Sequence, residues 1–488
     1  MCVQGGTPKL DWGDQGDGTF RNPVLKCDFS DPDILRVGGD FYLIASDFHF
    51  VGMQVLHSRD LVNWEIVNQI FSRLSMDEKY DQMRGYGQGT WAPAWGYHAG
   101  RFYAYVCTPF DGLFMWHTDD PANKWSEMIT VKKVERWEDP CPFWDEDGQA
   151  YLIHSHKGAG PLILHKMSSD GTQLLDDGVE IYRGPTAEGP KLIRRRGFYY
   201  IFLPEGGVAT GWQTVLRSKN IYGPYERRIV LPPGSPHQGG VVELASGESW
   251  FVGFKSTGHL GRVTHLLPVK WPEDGWPVFG ENGRPLEHCK KPDVGQALPI
   301  QRPPTSDEFD SPSLSQIWQW NHNPVNEAWS LVQRPGWLRL RGLPADSLAA
   351  AHNTLTQKLW DQRGQIDVLM DVANLSDGQR AGFAFQSGDE FAWIGALRRG
   401  NRIDIAWENG QGPALPPGPI RFRGTYKGDK AKLWHSVDGI IWTQAGGEIQ
   451  LKFAFWKGAR PTLFCYGPGA GWADVDYFRY EYSSGQGI

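Results

Sequence analysis

Four short polar motifs each place a group capable of acid–base chemistry beside a proline or a glycine. In chain order they contain Asp31 (SDPD), Asp139 (EDP), Glu188 (EGP) and His237 (PHQGG). Each motif alone is a common turn sequence, because Asp, Pro and Gly are typical turn residues. Together, however, they supply three carboxylates and one imidazole, which are side chains that exchange protons with reacting groups.

Three carboxylates suit one reaction in particular. Glycoside hydrolysis needs one carboxylic acid to protonate the leaving oxygen and one carboxylate to activate water or to attack the sugar. A third carboxylate near the acid would raise its pKa and keep it protonated near neutral pH. Because like charges in one pocket cost free energy, carboxylates that converge there indicate a functional site.

A sequence repeat predicts how these distant motifs meet. A glycine leads into an aromatic-rich segment at five places: Gly39, Gly100, Gly148, Gly197 and Gly247. Their spacing of about 50 residues is that of propeller blades with four strands each. Trailing segments such as LHSRDLVNW and THLLPVKW keep the same period. We therefore predict five blades, with a β-sandwich of coincidental spacing as the weaker alternative.

The polar motifs fall at equivalent places in this repeat. Each precedes one of the glycines by a similar distance, and the motif WAP at Trp91-Ala92 occupies that place in the remaining repeat. Residues that enter the first strand of each blade lie around one central channel. The repeat thus predicts that the three carboxylates and His237 share a pocket.

The composition and the rest of the chain predict an all-β protein with two domains. The chain has 59 Gly and 23 Trp among its 488 residues, which favours many short strands joined by turns. The Pro- and Ser-rich segment 301–313 is typical of a linker. We expect a catalytic propeller over 1–300 and an accessory β-sandwich, concanavalin-like or jelly-roll, over 314–488.

Charge and hydropathy exclude several classes of partner. The net charge of −7 and the scarcity of basic runs argue against nucleic acid, and no apolar run is long enough for a membrane helix. The six cysteines show neither metal-site nor disulfide spacing, and no signal peptide is visible. We therefore expect a cytoplasmic enzyme, with a trimmed export signal as the alternative and a homo-oligomer left open.

The motifs DPD, WAP, EDP, EGP and HQGG, with LGRVTHLLPVKW at 260–271, resemble glycoside hydrolase family 43. The similarity covers the first 290 residues and is close to the β-xylosidase and α-L-arabinofuranosidase members. The segment 306–483 resembles the sandwich appended to many of them. The resemblance implies a five-bladed propeller enzyme that inverts the anomeric configuration of xylan- or arabinan-derived sugars.

The resemblance also implies roles for individual residues. Asp31 would be the general base, Asp139 would orient the acid and tune its pKa, and Glu188 would be the general acid. Arg262 would hydrogen-bond the terminal sugar. His237 would line the channel, where the resemblance leaves open a calcium ion or a water; catalysis itself would need no cofactor.

Binding residues are predicted from residue type as well. The rings of Phe48, Phe50 and Trp91 could stack on the C–H face of a sugar. Val208 and Trp212 stand where xylosidase relatives often carry threonine and histidine, which leaves the substrate open. On resemblance, we expect the segment 465–478 to lend a loop from the sandwich to the active site.

These observations predict an exo-acting, inverting glycoside hydrolase whose partner is an oligosaccharide. It would release terminal β-D-xylose, α-L-arabinofuranose or both from xylo- or arabino-oligosaccharides. An endo-arabinanase is the alternative enzyme, and a sugar-binding propeller without catalysis is the alternative outside enzymes.

Overall fold

The computed structural model describes residues 12–416 and 418–483, so that Cys2 lies outside the described residues. Within them the chain is built of β-strands and a few short 3₁₀ helices, which confirms the predicted all-β class. The 3₁₀ helices are Glu78–Tyr80, Gly258–Leu260, Asn326–Ala328 and Leu348–Ala350. No helix in the described part of the chain has the length and apolar character needed to cross a membrane.

The N-terminal half forms a ring of four-stranded sheets. Its strands are β1 (Thr19–Arg21), β2 (Leu25–Asp28), β3 (Ser30–Val37), β4 (Asp40–Ser46), β5 (Gln54–Ser58), β6 (Glu65–Gln69), β7 (Ala94–His98), β8 (Arg101–Thr108), β9 (Gly112–Thr118), β10 (Ile129–Lys132), β11 (Trp137–Trp144), β12 (Ala150–His156), β13 (Leu162–Met167), β14 (Val179–Tyr182), β15 (Lys191–Arg195), β16 (Phe198–Glu205), β17 (Trp212–Ser218), β18 (Glu226–Leu231), β19 (His237–Glu243), β20 (Ser249–Ser256), β21 (Arg262–Lys270), β22 (Val278–Phe279) and β23 (His288–Lys290).

These strands make five blades, as the repeat predicts. Blades 1 to 4 are β3–β6, β7–β10, β11–β14 and β15–β18. Blade 5 combines β19, β20 and β21 with β2 from the start of the chain, which pairs antiparallel with β21. This pairing closes the ring with a strand that precedes blade 1, so both ends of the propeller are held together.

The repeated glycines have a local explanation. Each lies in the hairpin between the first and second strands of a blade. Four of the five have a positive φ, such as 85° at Gly148, and in blade 1 the positive φ belongs to Gly38, next to Gly39. Such positive φ values suit glycine, which has no Cβ to clash with the backbone. The aromatic-rich segment that follows is the second strand, and its residues, such as Leu152 and Ile153, are buried between neighbouring blades.

The C-terminal half is a two-layer sandwich, again as predicted. Its strands are β24 (Gln319–Trp320), β25 (Trp329–Ser330), β26 (Leu338–Arg341), β27 (Leu355–Thr356), β28 (Arg363–Asp371), β29 (Arg380–Ser387), β30 (Glu390–Arg399), β31 (Arg402–Trp407), β32 (Gly410–Ala414), β33 (Ile420–Lys427), β34 (Lys430–Ser436), β35 (Thr443–Gln450), β36 (Arg460–Tyr466) and β37 (Trp472–Ser483).

Two seven-stranded sheets face each other in this sandwich. Their strand orders are β24-β27-β36-β29-β30-β31-β32 and β25-β26-β37-β28-β33-β34-β35. Between them, the rings of Phe383 and Phe385 pack on Gly424, where a Cβ would come within 2.5 Å of the Phe383 ring. The segment that precedes the sandwich is attached to it, because Asp307 forms a β-bridge with Phe478. The boundaries at 300 and 314 stay predictions.

The two halves meet through buried charges. Asp47, which follows β4, is paired with Lys358 at 2.9 Å and with Arg460 at 3.6 Å, and all three side chains are almost fully buried. Burial opposes ionisation of Asp47, but the charges of Lys358, Lys457 and Arg460 hold its pKa below the usual range. Since removing one partner of such a pair leaves an uncompensated buried charge, the interface fixes the sandwich on blade 1.

Candidate active site

The same backbone distortion occurs where each blade begins. One residue there has a positive φ of 21° to 56° in every blade: Asp31, Ala92, Asp139, Gly189 and Gln238. Pro or Gly follows each of them, and the antiparallel register shifts at this point in blades 1, 3 and 5. Such bulges re-aim side chains and are common beside active sites.

Relative to the left-handed residue of each blade, the predicted residues occupy one of two positions: the left-handed residue itself or the residue before it. Asp31 and Asp139 are themselves the left-handed residues of blades 1 and 3. Glu188 and His237 come immediately before the left-handed residues of blades 4 and 5, and Trp91 does so in blade 2. The residue at this preceding position in blade 3 is Glu138, which sequence reasoning did not single out.

A cavity of about 460 Å³ lies where these blade entrances meet. It brings together the three predicted catalytic residues with three of the predicted binding residues. Its lining consists of Asp31, Phe48, Trp91, Ala92, Arg136, Glu138, Asp139, Lys157, Gly158, Glu188, Val208, Gln238, Arg262 and Trp456.

Asp31 is held by three hydrogen-bond donors. Its Oδ1 accepts a hydrogen bond from Arg262 Nη1 at 2.6 Å, and its Oδ2 accepts from the hydroxyls of Ser46 at 2.7 Å and Ser30 at 2.9 Å. Both charged side chains are about 5% exposed. Because donors reach both oxygens, the carboxyl group is fixed in orientation and equipped to act as an acceptor.

Asp139 and Glu188 lie in a different electrostatic environment. The N–H of Gly189 donates to Asp139 Oδ2 at 2.7 Å, which ties Asp139 to the residue after Glu188. Burial and the charge of Asp31 raise the pKa of Asp139 to about 7. Burial and the charge of Asp139 raise the pKa of Glu188 to about 8, and no cation pairs with Glu188 in the described part of the chain. The raised pKa of Glu188 favours its protonated form near neutral pH, as a general acid requires.

The predicted aromatic residues separate into two groups. Phe48 and Trp91 line the cavity with their ring centroids 5.6 Å apart, and Trp91 Nε1 donates to Gly87 O at 3.0 Å. Phe50 does not line the cavity: it is buried under the guanidinium of Arg460, 3.5 Å from its ring centroid, at the domain interface. Trp212, unlike Val208, is also absent from the lining.

His237 is buried next to the cavity without lining it. Its Nδ1 lies 2.9 Å from the carbonyl oxygen of Ser235, which makes Nδ1 the protonated nitrogen and leaves a lone pair on Nε2. This Nε2 has no hydrogen-bond partner among the described residues, and burial lowers the pKa of the imidazole. His237 Nε2 could therefore bind a metal ion or accept a hydrogen bond from a water. No cluster of three His, Cys, Asp or Glu side chains suited to a metal occurs in residues 12–416 and 418–483, so calcium binding at His237 is not confirmed.

The sandwich does contribute to the cavity, but through a different segment from the one predicted. Trp456, between β35 and β36, lines the cavity, whereas no residue of 465–478 does. The predicted segment was wrong because it packs on the sandwich itself: Gly467 and Gly471 lie against Gln379. Arg262 bridges the two domains, since its guanidinium carbon lies 5.4 Å from the Trp456 ring centroid.

The segment that carries Trp456 is anchored to the propeller by its next two residues. Lys457 Nζ donates to the carbonyl oxygen of Ser46 at 2.8 Å and pairs with Asp28 at 3.1 Å. The N–H of Gly458 donates to Asp28 Oδ2 at 2.9 Å. A Cβ on Gly458 would come within 2.5 Å of the Leu260 backbone, so only glycine permits this approach.

The comparisons with known proteins agree with this site and fold. Residues 20–277 match the model of glycosyl hydrolases family 43, and residues 306–481 match that of the β-xylosidase C-terminal concanavalin A-like domain. The chain therefore belongs to glycoside hydrolase family 43 and is a glycosidase, as the motifs predict.

Individual relatives extend over most of the chain. A protein of Xylanibacter ruminicola, provisionally named a β-xylosidase, is 45% identical over 92% of this chain and 86% of its own length. A non-reducing end α-L-arabinofuranosidase of Bacteroides ovatus is 34% identical over 66% of this chain and 65% of its own. The crystal structure of a xylan β-1,4-xylosidase from Bacillus halodurans superposes with a TM-score of 0.83 at 25% identity, covering 95% of this chain and 100% of the other.

Proposed function

We propose that this glycosidase is exo-acting and inverting, and that it releases terminal β-D-xylose, α-L-arabinofuranose or both from short xylo- or arabino-oligosaccharides. One observation carries the proposal. Asp31, paired with Arg262, shares a single cavity with Glu188, which is half-buried and forms no ion pair with a cation among the described residues. One carboxyl group is thus suited to accept a proton and the other to donate one.

The mechanism assigns one step to each group. Glu188 protonates the glycosidic oxygen as the bond between this oxygen and the anomeric carbon breaks. Asp31 takes a proton from a water molecule that attacks the anomeric carbon from the opposite face, which inverts its configuration. Inversion requires room for this water, so we expect the two carboxyl groups to lie roughly 6.5–9.5 Å apart.

The remaining residues act on these two. Burial and the charge of Asp139 raise the pKa of Glu188, and the hydrogen bond from the N–H of Gly189 to Asp139 Oδ2 fixes the orientation of the Asp139 carboxyl group. Arg262 orients Asp31 and can donate its other N–H groups to sugar hydroxyls. Phe48, Trp91 and Trp456 provide ring faces for the apolar side of a sugar.

Exo action is supported by the sandwich, since the segment with Trp456 borders the cavity and is fixed to the propeller by Lys457. Two of the relatives are named a β-xylosidase and an α-L-arabinofuranosidase, which supports xylose and arabinofuranose as the sugars released. The cytoplasmic location stays a prediction, and the five cysteines of the described residues, all free and buried, are compatible with it.

The test compares aryl β-D-xylosides with aryl α-L-arabinofuranosides, and follows the anomeric configuration of the first product by NMR. We expect hydrolysis of at least one substrate with inversion. A product of retained configuration would contradict the roles of Asp31 and Glu188. Internal cleavage of linear arabinan would favour an endo-arabinanase, and sugar binding without any hydrolysis would favour a non-catalytic propeller.

A further inference from the structure

Glu138 is a fourth carboxyl group in the cavity, and the mechanism above does not use it. It lies on β11 next to Asp139, lines the cavity, and is 5% exposed. The N–H of Ala159 donates to its Oε1 at 3.3 Å. A buried acid needs a compensating partner, so its presence in this cavity requires a physical reason.

The position of Glu138 in the repeat explains why its side chain faces the cavity. Glu138 precedes the left-handed residue of blade 3, as Glu188 precedes that of blade 4 and Trp91 that of blade 2. Glu188 and Trp91 both line the cavity, and Glu138 does so by the same backbone geometry. The blade entrance therefore presents the side chain of Glu138 to the substrate space.

The surroundings of Glu138 favour a neutral carboxylic acid. No ion pair joins it to a cation in the part of the chain that the structure describes, although Arg136 and Lys157 line the same cavity. Burial and the charges of Asp139 and Glu188 raise its pKa to about 9. A protonated carboxyl group has an O–H to donate, and the N–H of Ala159 occupies one of its acceptor positions.

The cavity lining also separates into two sides. Asp31, Arg262 and Trp456 form one cluster, held together by the contacts of the Arg262 guanidinium. Glu138 belongs to the other side, because blade 3, which also contributes Arg136 and the loop at Lys157 and Gly158, is separated by one blade from both blade 1 of Asp31 and blade 5 of Arg262 around the ring. As the proposed general acid, Glu188 must reach the bond between the two sugars.

We propose that Glu138 is a substrate-binding residue that donates a hydrogen bond from its carboxylic acid to a hydroxyl of the sugar on the leaving-group side of the scissile bond. This inference rests on the proposed function, because it takes the Asp31 side of the cavity as the place of the terminal sugar. It makes Glu138 a residue that selects oligosaccharides over glycosides whose leaving group has no hydroxyl.

The test compares Glu138→Ala and Glu138→Gln on xylobiose, arabinobiose and the corresponding 4-nitrophenyl glycosides. Glutamine keeps a donor of similar shape, whereas alanine removes it. We expect Glu138→Ala to lower kcat/KM on the disaccharide about tenfold, mainly through KM, and to change the aryl glycoside less than threefold. Glu138→Gln should stay within threefold of the wild type on both substrates.

Glu146→Ala serves as the matched control, since Glu146 is an exposed acid of the same blade, and it should behave as the wild type. An equal loss on disaccharide and aryl glycoside, no loss on the disaccharide, or a loss in Glu138→Gln as large as in Glu138→Ala would each overturn the inference. If the wild type cleaves none of these substrates, the proposed function fails separately. Calorimetric binding of the disaccharides then decides: tenfold weaker binding by Glu138→Ala supports the inference, and unchanged binding overturns it.

Discussion

The ammonium nitrogen of Lys457, in the sandwich, lies 2.8 Å from the main-chain oxygen of Ser46, in blade 1. The hydroxyl of the same serine donates to Asp31 at 2.7 Å and accepts a hydrogen bond from the N–H of Ala92. Ser46 thus connects the segment that carries Trp456 with the residue that we propose as the general base. The accessory domain is joined to the active site through hydrogen bonds and a buried ion pair.

We predict that Lys457→Met lowers kcat/KM about 100-fold, because a small displacement of Asp31 and Trp456 is costly for catalysis. It should also lower the melting temperature, because Asp28 loses its cation in a buried site. Kinetics on an aryl glycoside and thermal unfolding test both effects. Lys452→Met is the control: its pair with Glu390 is more than half exposed, and both effects should be small. Wild-type kinetics in a folded Lys457→Met would refute the coupling.

We predict that Trp456→Ala raises KM about tenfold with a smaller change in kcat, because the ring provides apolar area for the sugar and touches no reacting group. Phe455→Ala is the control. Phe455 is 41% exposed, close to the 43% of Trp456, but it packs on Tyr86 and does not line the cavity. Equal effects of the two variants on KM would mean that the segment with Phe455 and Trp456 affects the site only through its backbone conformation and not through the Trp456 ring.

The period of the glycine repeat made the propeller and the meeting of Asp31, Asp139 and Glu188 predictable. Trp456 was not predictable, because the contacts that place it join residues more than 400 positions apart, such as Lys457 and Ser46. Its own neighbourhood, FAFWKGAR, has the composition of an ordinary strand or turn.

The site differs from the sequence prediction at two more residues, Phe50 and Glu138, and backbone geometry explains both differences. Phe48 has a φ of 54°, and such local turning decides that Phe48 faces the cavity while Phe50 faces Arg460. Glu138 carried a usable signal. When the five motifs are aligned by their Pro or Gly, Glu138 falls at the same position as Glu188. This correspondence is missed when EDP is taken to supply Asp139 alone.

We predict that Glu188→Gln lowers kcat on xylobiose or arabinobiose about 10²- to 10⁴-fold, the usual contribution of a general acid. Glycosides with a 2,4-dinitrophenyl leaving group should lose much less, since this group departs without a proton. In the wild type, kcat should fall as the pH rises through about 8, where Glu188 loses its proton, and the variant should lack this fall. A uniform loss on all leaving groups would assign the acid role elsewhere.

The raised pKa values of Glu138 and Glu188, to about 9 and about 8, also predict how stability depends on pH. Between the ordinary pKa of a glutamate and these values, the folded protein binds more protons than the unfolded chain. The free energy of unfolding therefore falls as the pH rises through this window. Glutamine resembles the protonated acid at every pH. The melting temperatures of Glu138→Gln and Glu188→Gln should thus be close to the wild type at pH 4 and increasingly higher at pH 6, 8 and 9. For the exposed Glu146→Gln, the difference should not grow with pH. A difference that stays constant from pH 4 to pH 9 for the two cavity variants would mean that these carboxyl groups ionise in the folded protein as easily as in water.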